Sequence, residues 1–197
     1  MVERLEPAPL FTVPMPTHQR PDVIGHAIQS VLDQTEPDFE LLVVGDGAVA
    51  GTAEAVAAFD DPRIRWFDLP KAPAFGYANR NIALRESRGS LIAFAADDDL
   101  MMHDHLALMR DLFADASAQF AYSQALWVSS HGIAAPDLTN LFFDDERYVF
   151  LNLGNTIAAG SVVYRASAAP RRDVWPESVS ASGDWQIWRR LLAAHGT

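Results

Sequence analysis

"LFTVPMPTHQRPDVIGHAIQSVLDQTEPDFELLVVGDG", residues 10–47, contains two short apolar runs separated by an amphipathic stretch. The first run, 10–15, is stopped by Pro16, and the second, 39–44, ends in Gly45, Asp46 and Gly47; both read as buried strands. Between them Val23, Ile24, Ala27, Ile28, Val31 and Leu32 recur at the spacing of one helical face, with Pro21 and Asp22 suited to a first turn. Strand, helix, strand is the unit of a parallel sheet, because two parallel neighbours need a crossover between them.

The same alternation continues outward. Residues 51–59, 75–87, 104–114 and 184–194 read as helices, and 63–69, 91–96, 119–128 and 161–165 as strands. This order predicts an α/β protein: one Rossmann-like domain over 1–197, with a mainly parallel central sheet flanked by helices. Residues 129–155, with Gly132, Pro136 and the acidic Asp144, Asp145 and Glu146, read as an irregular, mobile loop. In open sheets of this kind ligands bind beyond the carboxyl ends of the strands. Those ends fall at 16–20, at 45–47, after Leu69, and at Asp97, Asp98 and Asp99.

Composition narrows the function. With 197 residues, 49% of them hydrophobic, the chain can bury one sizeable core. Its net charge is −11, and Lys71 is its single lysine, so it offers no positive field to a nucleic acid or an anionic membrane surface. It has no cysteine, which fits a reducing compartment. The first residues lack the basic and apolar regions of a signal peptide, and no apolar run reaches the roughly 20 residues of a membrane span. The expected location is the cytoplasm, with a peripheral position at the inner membrane left open.

Two common phosphate sites are absent. The first strand-to-helix turn has no G-x-G-x-x-G, and no G-x-x-x-x-G-K-[ST] occurs anywhere. What remains is "LIAFAADDD", residues 91–99, an apolar run that ends in three aspartates. Aspartates after a strand often cap the next helix or sit solvated in a turn. Three in a row repel one another, however, and a divalent cation relieves that repulsion. Mg²⁺ and Mn²⁺ take one or two carboxylates, with water and substrate phosphate completing the shell. On an extended segment Asp97 and Asp99 would share one side and Asp98 the other. His18, His26, His103 and His105 form no convincing ligand set with them.

Taken in order, residues 14–47, "ANRNIALRESRGSLIAFAADDDLMMHDHL" (78–106), "GSVVYR" (160–165) and "GDWQIWRRL" (183–191) resemble the inverting family 2 glycosyltransferases of GT-A fold. The resemblance covers essentially the whole chain. It implies that Pro16 and Thr17 lie against the nucleotide, that Asp46 hydrogen-bonds the base, and that Arg80 and Asn81 lie near the diphosphate. Asp97 and Asp98 match the D-x-D region; Asp98 is the first choice as metal ligand, Asp99 its close competitor, and Asp97 a nucleotide-sugar contact. Asp184 matches the general base, with helix N-capping as its plainer role. Trp185 and Trp188 read as core. The implied cofactor is Mn²⁺ or Mg²⁺, the donor a nucleotide-diphospho-sugar with UDP-sugar favoured, and the acceptor a saccharide or other hydroxyl.

Three departures stand out: Gly45 replaces the first aspartate of the base-binding turn, Gly183 replaces a second acidic residue beside the base, and His103 stands where proline is usual. The chain ends shortly after the helix of Asp184, where family members usually continue, so it reads as truncated or as an isolated domain. Two rival functions remain open at this level. One is a catalytically inactive nucleotide-sugar-binding module, favoured by the depleted turn at 45–50. The other is a nucleotidyltransferase, disfavoured by the lack of a basic glycine-rich loop.

Overall fold

The computed structural model describes residues 7–115, 117–170 and 173–196. Its main sheet is built from β1 (Phe11–Thr17), β2 (Phe39–Asp46), β3 (Ile64–Leu69), β4 (Leu91–Ala93), β5 (Phe120–Tyr122) and β8 (Val162–Arg165), in the spatial order β3-β2-β1-β4-β8-β5. β1 pairs parallel with both β2 and β4, β2 pairs parallel with β3, and β8 runs antiparallel between β4 and β5. The chain leaves β1 toward β2 and later returns to its other side as β4. That reversal is the switch point at which open α/β sheets form a crevice.

Both faces of the sheet are covered, as the apolar runs require. Along β2, Leu41 and Val43 join one core with Ile24, Ile28 and Val31 of α1 (Ile24–Leu32) and Leu106 and Met109 of α4 (His105–Asp115). Leu42 and Val44 point the other way, toward Ala83 of α3 (Tyr77–Arg85). A further core on that side gathers Phe94, Phe150, Trp175, Ile187 and Trp188 against α6 (Gly183–His195). The remaining helix of the first half, α2 (Thr52–Ala57), contributes Val56 to the α1 side.

One buried charge ties the strands together. Glu40, 1% exposed, accepts from the Thr12 hydroxyl at 2.7 Å, from the Arg88 amide at 2.6 Å, and from the Arg88 and Arg65 guanidinium groups at 2.9 and 3.2 Å. Burial alone would raise its carboxyl, but these bonds hold it below its ordinary value. Gly89 completes the arrangement, donating to Thr12 Oγ1 at 2.9 Å from a spot where a Cβ would lie 2.4 Å from the Thr12 nitrogen.

Three expectations need correction. The strand expected at 119–128 is two: β5 stays in the main sheet, while β6 (Leu126–Val128) pairs antiparallel with β7 (Ala134–Pro136) in a separate ribbon. Main-sheet pairing ends where the Ser123 amide bonds Ser161 O at 3.0 Å, and the chain turns away before Leu126. The segment 129–155 is correspondingly not a bare loop, since it carries β7 and α5 (Asp144–Asn152). Finally, β4 ends at Ala93 and the chain turns at Asp97 and Asp98, so strand alternation does not sort the three carboxylates.

His105, at the start of α4, is 8% exposed; its Nδ1 lies 3.5 Å from Ser123 Oγ and its Nε2 has no partner. Burial pushes the imidazole below its ordinary value, against the weaker pull of Asp104. The unfolded state therefore takes up a proton that the folded state refuses, so stability is full above the unfolded value of about 6.5 and falls as pH drops below it. Thermal unfolding from pH 7.5 down to pH 5 is expected to show a smaller loss of Tm in His105→Gln than in wild type. An identical slope in the two proteins would show that His105 does not drive it.

Candidate active site

The candidate residues lie at or just beyond the carboxyl ends of β1, β2 and β4, on α3, and at the start of α6. Thr17 closes β1, in register with Gly45; it is 3% exposed and its hydroxyl has no partner. Pro16 beside it is half-buried. His18, just beyond, approaches Asp46 O through Nδ1 at 2.7 Å and so links the first two strand ends.

Asp46 ends β2, buried, and its carboxylate organises the loop after β3. It accepts from Lys71 Nζ at 2.7 Å, from the Ala72 amide at 2.8 Å and from Asn79 Nδ2 at 2.7 Å. Gly76 (φ +70°) passes so near that a Cβ there would lie 2.5 Å from the carboxylate. Only glycine tolerates both that approach and the left-handed backbone. Lys71 and Asn79 are additions to the expected site. The signal for Lys71 was present in the sequence, as the sole lysine, directly after a strand.

Arg80 lies at the centre. Its guanidinium packs 4.5 Å from the Trp175 ring and 5.5 Å from the Tyr77 ring, which are themselves stacked at 5.5 Å and 8°. Nε has no hydrogen-bond partner, and the guanidinium makes no ion pair among the described residues. Burial lowers its proton affinity, while Tyr77, Asp184, Asp46 and Asp97 pull the other way. Three carboxylates from different parts of the chain thus act on one cation without an ion pair to it among the described residues.

The structure gives Asn81 a different place from Arg80. It is fully buried, donating Nδ2 to Trp175 O and Glu177 Oε1 at 2.9 Å each and accepting the Trp175 amide at 2.9 Å through Oδ1. Both of its amide hydrogens are used in holding the 175–177 segment, which leaves no donor for a diphosphate. Neighbours on a helix point about 100° apart, which separates it from Arg80.

At the β4 end Asp97 is buried, whereas Asp98 and Asp99 are exposed. Arg20, from the loop after β1, forms an ion pair with Asp98 and lies 3.5 Å from Asp97 Oδ1. Among the described residues no group of three or more carboxylate, imidazole or thiolate side chains converges as a metal cage. The donor set nevertheless fits a hard cation shared with a substrate phosphate, which needs only one or two carboxylates.

Asp184 sits in the first turn of α6, where Asn155 Nδ2 donates to its Oδ2 at 2.9 Å. The Gly183 amide donates to Tyr77 Oη at 2.9 Å, and Trp185 Nε1 donates to Phe150 O at 2.7 Å. Trp188 is buried in the core and Trp185 packs against it, as expected. Both glycine departures have a steric cause. A Cβ on Gly183 would lie 2.6 Å from the Tyr77 ring, and one on Gly45 2.6 Å from the Trp66 ring.

This arrangement has relatives. The family model described as "Glycosyl transferase family 2" matches residues 12–169. The chain belongs to glycosyl transferase family 2. The putative teichuronic acid biosynthesis glycosyltransferase TuaG of Bacillus subtilis (strain 168) is 29% identical over 192 residues, 93% of this family 2 chain and 72% of TuaG. An uncharacterized glycosyltransferase of Rickettsia bellii (strain RML369-C) is 26% identical over 180 residues, and there the chain spans 25% of the relative's length. Among solved structures, S. aureus TarS 1–349 in complex with UDP shares 18% identity at a TM-score of 0.75, over 94% of this chain and 54% of that one. The mannosyltransferase PcManGT of Pyrobaculum calidifontis, solved with GDP-Man and Mn²⁺, shares 18% identity at 0.68, over 95% of this chain and 53% of that one. The sheet is thus that of the GT-A glycosyltransferases. No helix among the described residues is long and apolar enough to cross a membrane.

Proposed function

We propose that this chain is a metal-dependent, inverting glycosyltransferase that moves a sugar from a nucleotide-diphospho-sugar, with UDP-sugar favoured, to an acceptor hydroxyl. One observation carries most of the weight. Arg80, stacked on Trp175 and without an ion pair among the described residues, is a cation placed for an anion that the protein itself does not supply. A diphosphate at the strand ends meets that need. The likeness to proteins solved with UDP and with GDP-Man supports the same ligand class.

Within this reading Pro16 and Thr17 border the nucleotide, and the Thr17 hydroxyl is a buried group without a partner. Asp46 shapes the base pocket, with Oδ2 engaged by Lys71 and Oδ1 by Ala72 and Asn79. Arg80 offsets charge on the diphosphate, and Asp97 contacts the nucleotide-sugar. Asp98, with Asp99, would hold Mn²⁺ or Mg²⁺; when bound, the cation neutralises charge on the departing nucleoside diphosphate. Asp184 takes the proton of the acceptor hydroxyl while that oxygen bonds the anomeric carbon. The bond from that carbon to phosphate breaks, and attack from the opposite face inverts its configuration.

Family membership favours glycosyl over nucleotidyl transfer. A cytoplasmic site of action belongs to the same proposal, supported by the cysteine-free sequence. The test is a thermal-shift panel of UDP, GDP, dTDP and CDP with and without Mn²⁺, since a ligand that binds only the folded state raises its Tm. A rise for UDP that needs Mn²⁺ supports the proposal; no rise with any of the four overturns it.

A further inference from the structure

The geometry points to Asn155 as a positioning residue for Asp184. It follows α5 in sequence, far from the family's strand-end motifs, yet its side chain reaches the start of α6. Nδ2 donates to Asp184 Oδ2 at 2.9 Å, while Oδ1 accepts the Ile157 amide at 3.2 Å. The second bond settles the first: with the carbonyl end held by a backbone N–H, the amino end must face the carboxylate. Ile157 is 4% exposed and packs in the core that contains Trp188, so the anchor is rigid. Asp184 Oδ1 has no hydrogen-bond partner among the described residues, which leaves one oxygen fixed and the other open to an acceptor hydroxyl.

The surroundings reinforce this division. Tyr77 Oη accepts from the Gly183 amide and Phe150 O from the Trp185 indole, so the first turn of α6 is pinned on both sides of residue 184. Among the described residues, Asn155 alone hydrogen-bonds the carboxylate itself. A base that turned freely would meet the hydroxyl in a productive pose less often, a loss in turnover rather than in donor affinity.

This inference rests on the assignment of Asp184 as base, and the experiment separates the two. Asn155→Asp retains an acceptor for the Ile157 amide but loses the donor toward Asp184, so a residue that merely builds the turn would tolerate it. Turnover is followed as UDP release from UDP-glucose and UDP-N-acetylglucosamine, and UDP affinity by calorimetry. Asn155→Asp and Asn155→Ala are both expected to lower kcat about tenfold or more, with the Kd for UDP within about twofold of wild type. Wild-type turnover in Asn155→Asp, or a loss confined to UDP affinity, overturns the inference. Asp184→Asn in the same assay tests the base: if it turns over normally, the base assignment itself fails. A crystal structure of Asn155→Ala needs no substrate. The Asp184 carboxylate is expected in a different rotamer, and an unchanged one overturns the inference.

Discussion

Asp184→Asn is expected to bind UDP as wild type does and to lose roughly 10²–10⁴-fold in transfer rate, the range that a positioned general base supplies. The substitution is nearly isosteric. The Asn155 Nδ2 donor that faces Asp184 Oδ2 at 2.9 Å can be received by the new amide oxygen, and the anchors of α6 at Tyr77 and Phe150 do not involve residue 184. What disappears is the capacity to accept a proton. Single-turnover measurement with enzyme in excess over donor, beside calorimetry of UDP, divides chemistry from binding. Normal transfer by Asp184→Asn would reduce Asp184 to a helix-start carboxylate.

Asp98→Asn is expected to act in the opposite sense. Its carboxylate is half-exposed at the turn after β4 and meets Arg20, whereas Asp97 behind it is 8% exposed. Removing its charge should weaken UDP binding in Mn²⁺ by at least about tenfold, about 1.4 kcal/mol, since Asp98 would hold the cation that offsets diphosphate charge. In EDTA the variant and wild type should bind UDP alike. Asp99→Asn is the control: should it, and not Asp98→Asn, abolish the Mn²⁺ effect, the ligand is Asp99.

The first half of the fold was legible because its signals are local. Apolar runs at 10–15 and 39–44, and the face from Val23 to Leu32, carry their period in adjacent residues, and the structure places β1, α1 and β2 there. The stretch 119–128 misled because an apolar run does not state which partner it pairs with; β8 takes β5, and β7 takes β6. Strand ends pointed to Asp46 and Asp97, and their charges, with that of Asp184 from α6, act on the Arg80 guanidinium of α3. Asn81 hydrogen-bonds the Trp175 backbone and Glu177, distant contacts that the adjacent Arg-Asn pair in the sequence does not state. Asn155 gave no sign, since its contact with Asp184 spans two elements and many residues of chain. The glycine departures became intelligible only with their distant partners, Trp66 for Gly45 and Tyr77 for Gly183.

Calorimetric titration of UDP into the wild-type protein, in Mn²⁺ and again in EDTA, addresses the nucleotide site most directly. Saturable one-to-one binding in Mn²⁺ that weakens at least about tenfold in EDTA is the expected result. Equal affinity in the two buffers, or no binding of UDP, GDP, dTDP or CDP in Mn²⁺, would contradict a cation-assisted diphosphate site at the ends of β1, β2 and β4.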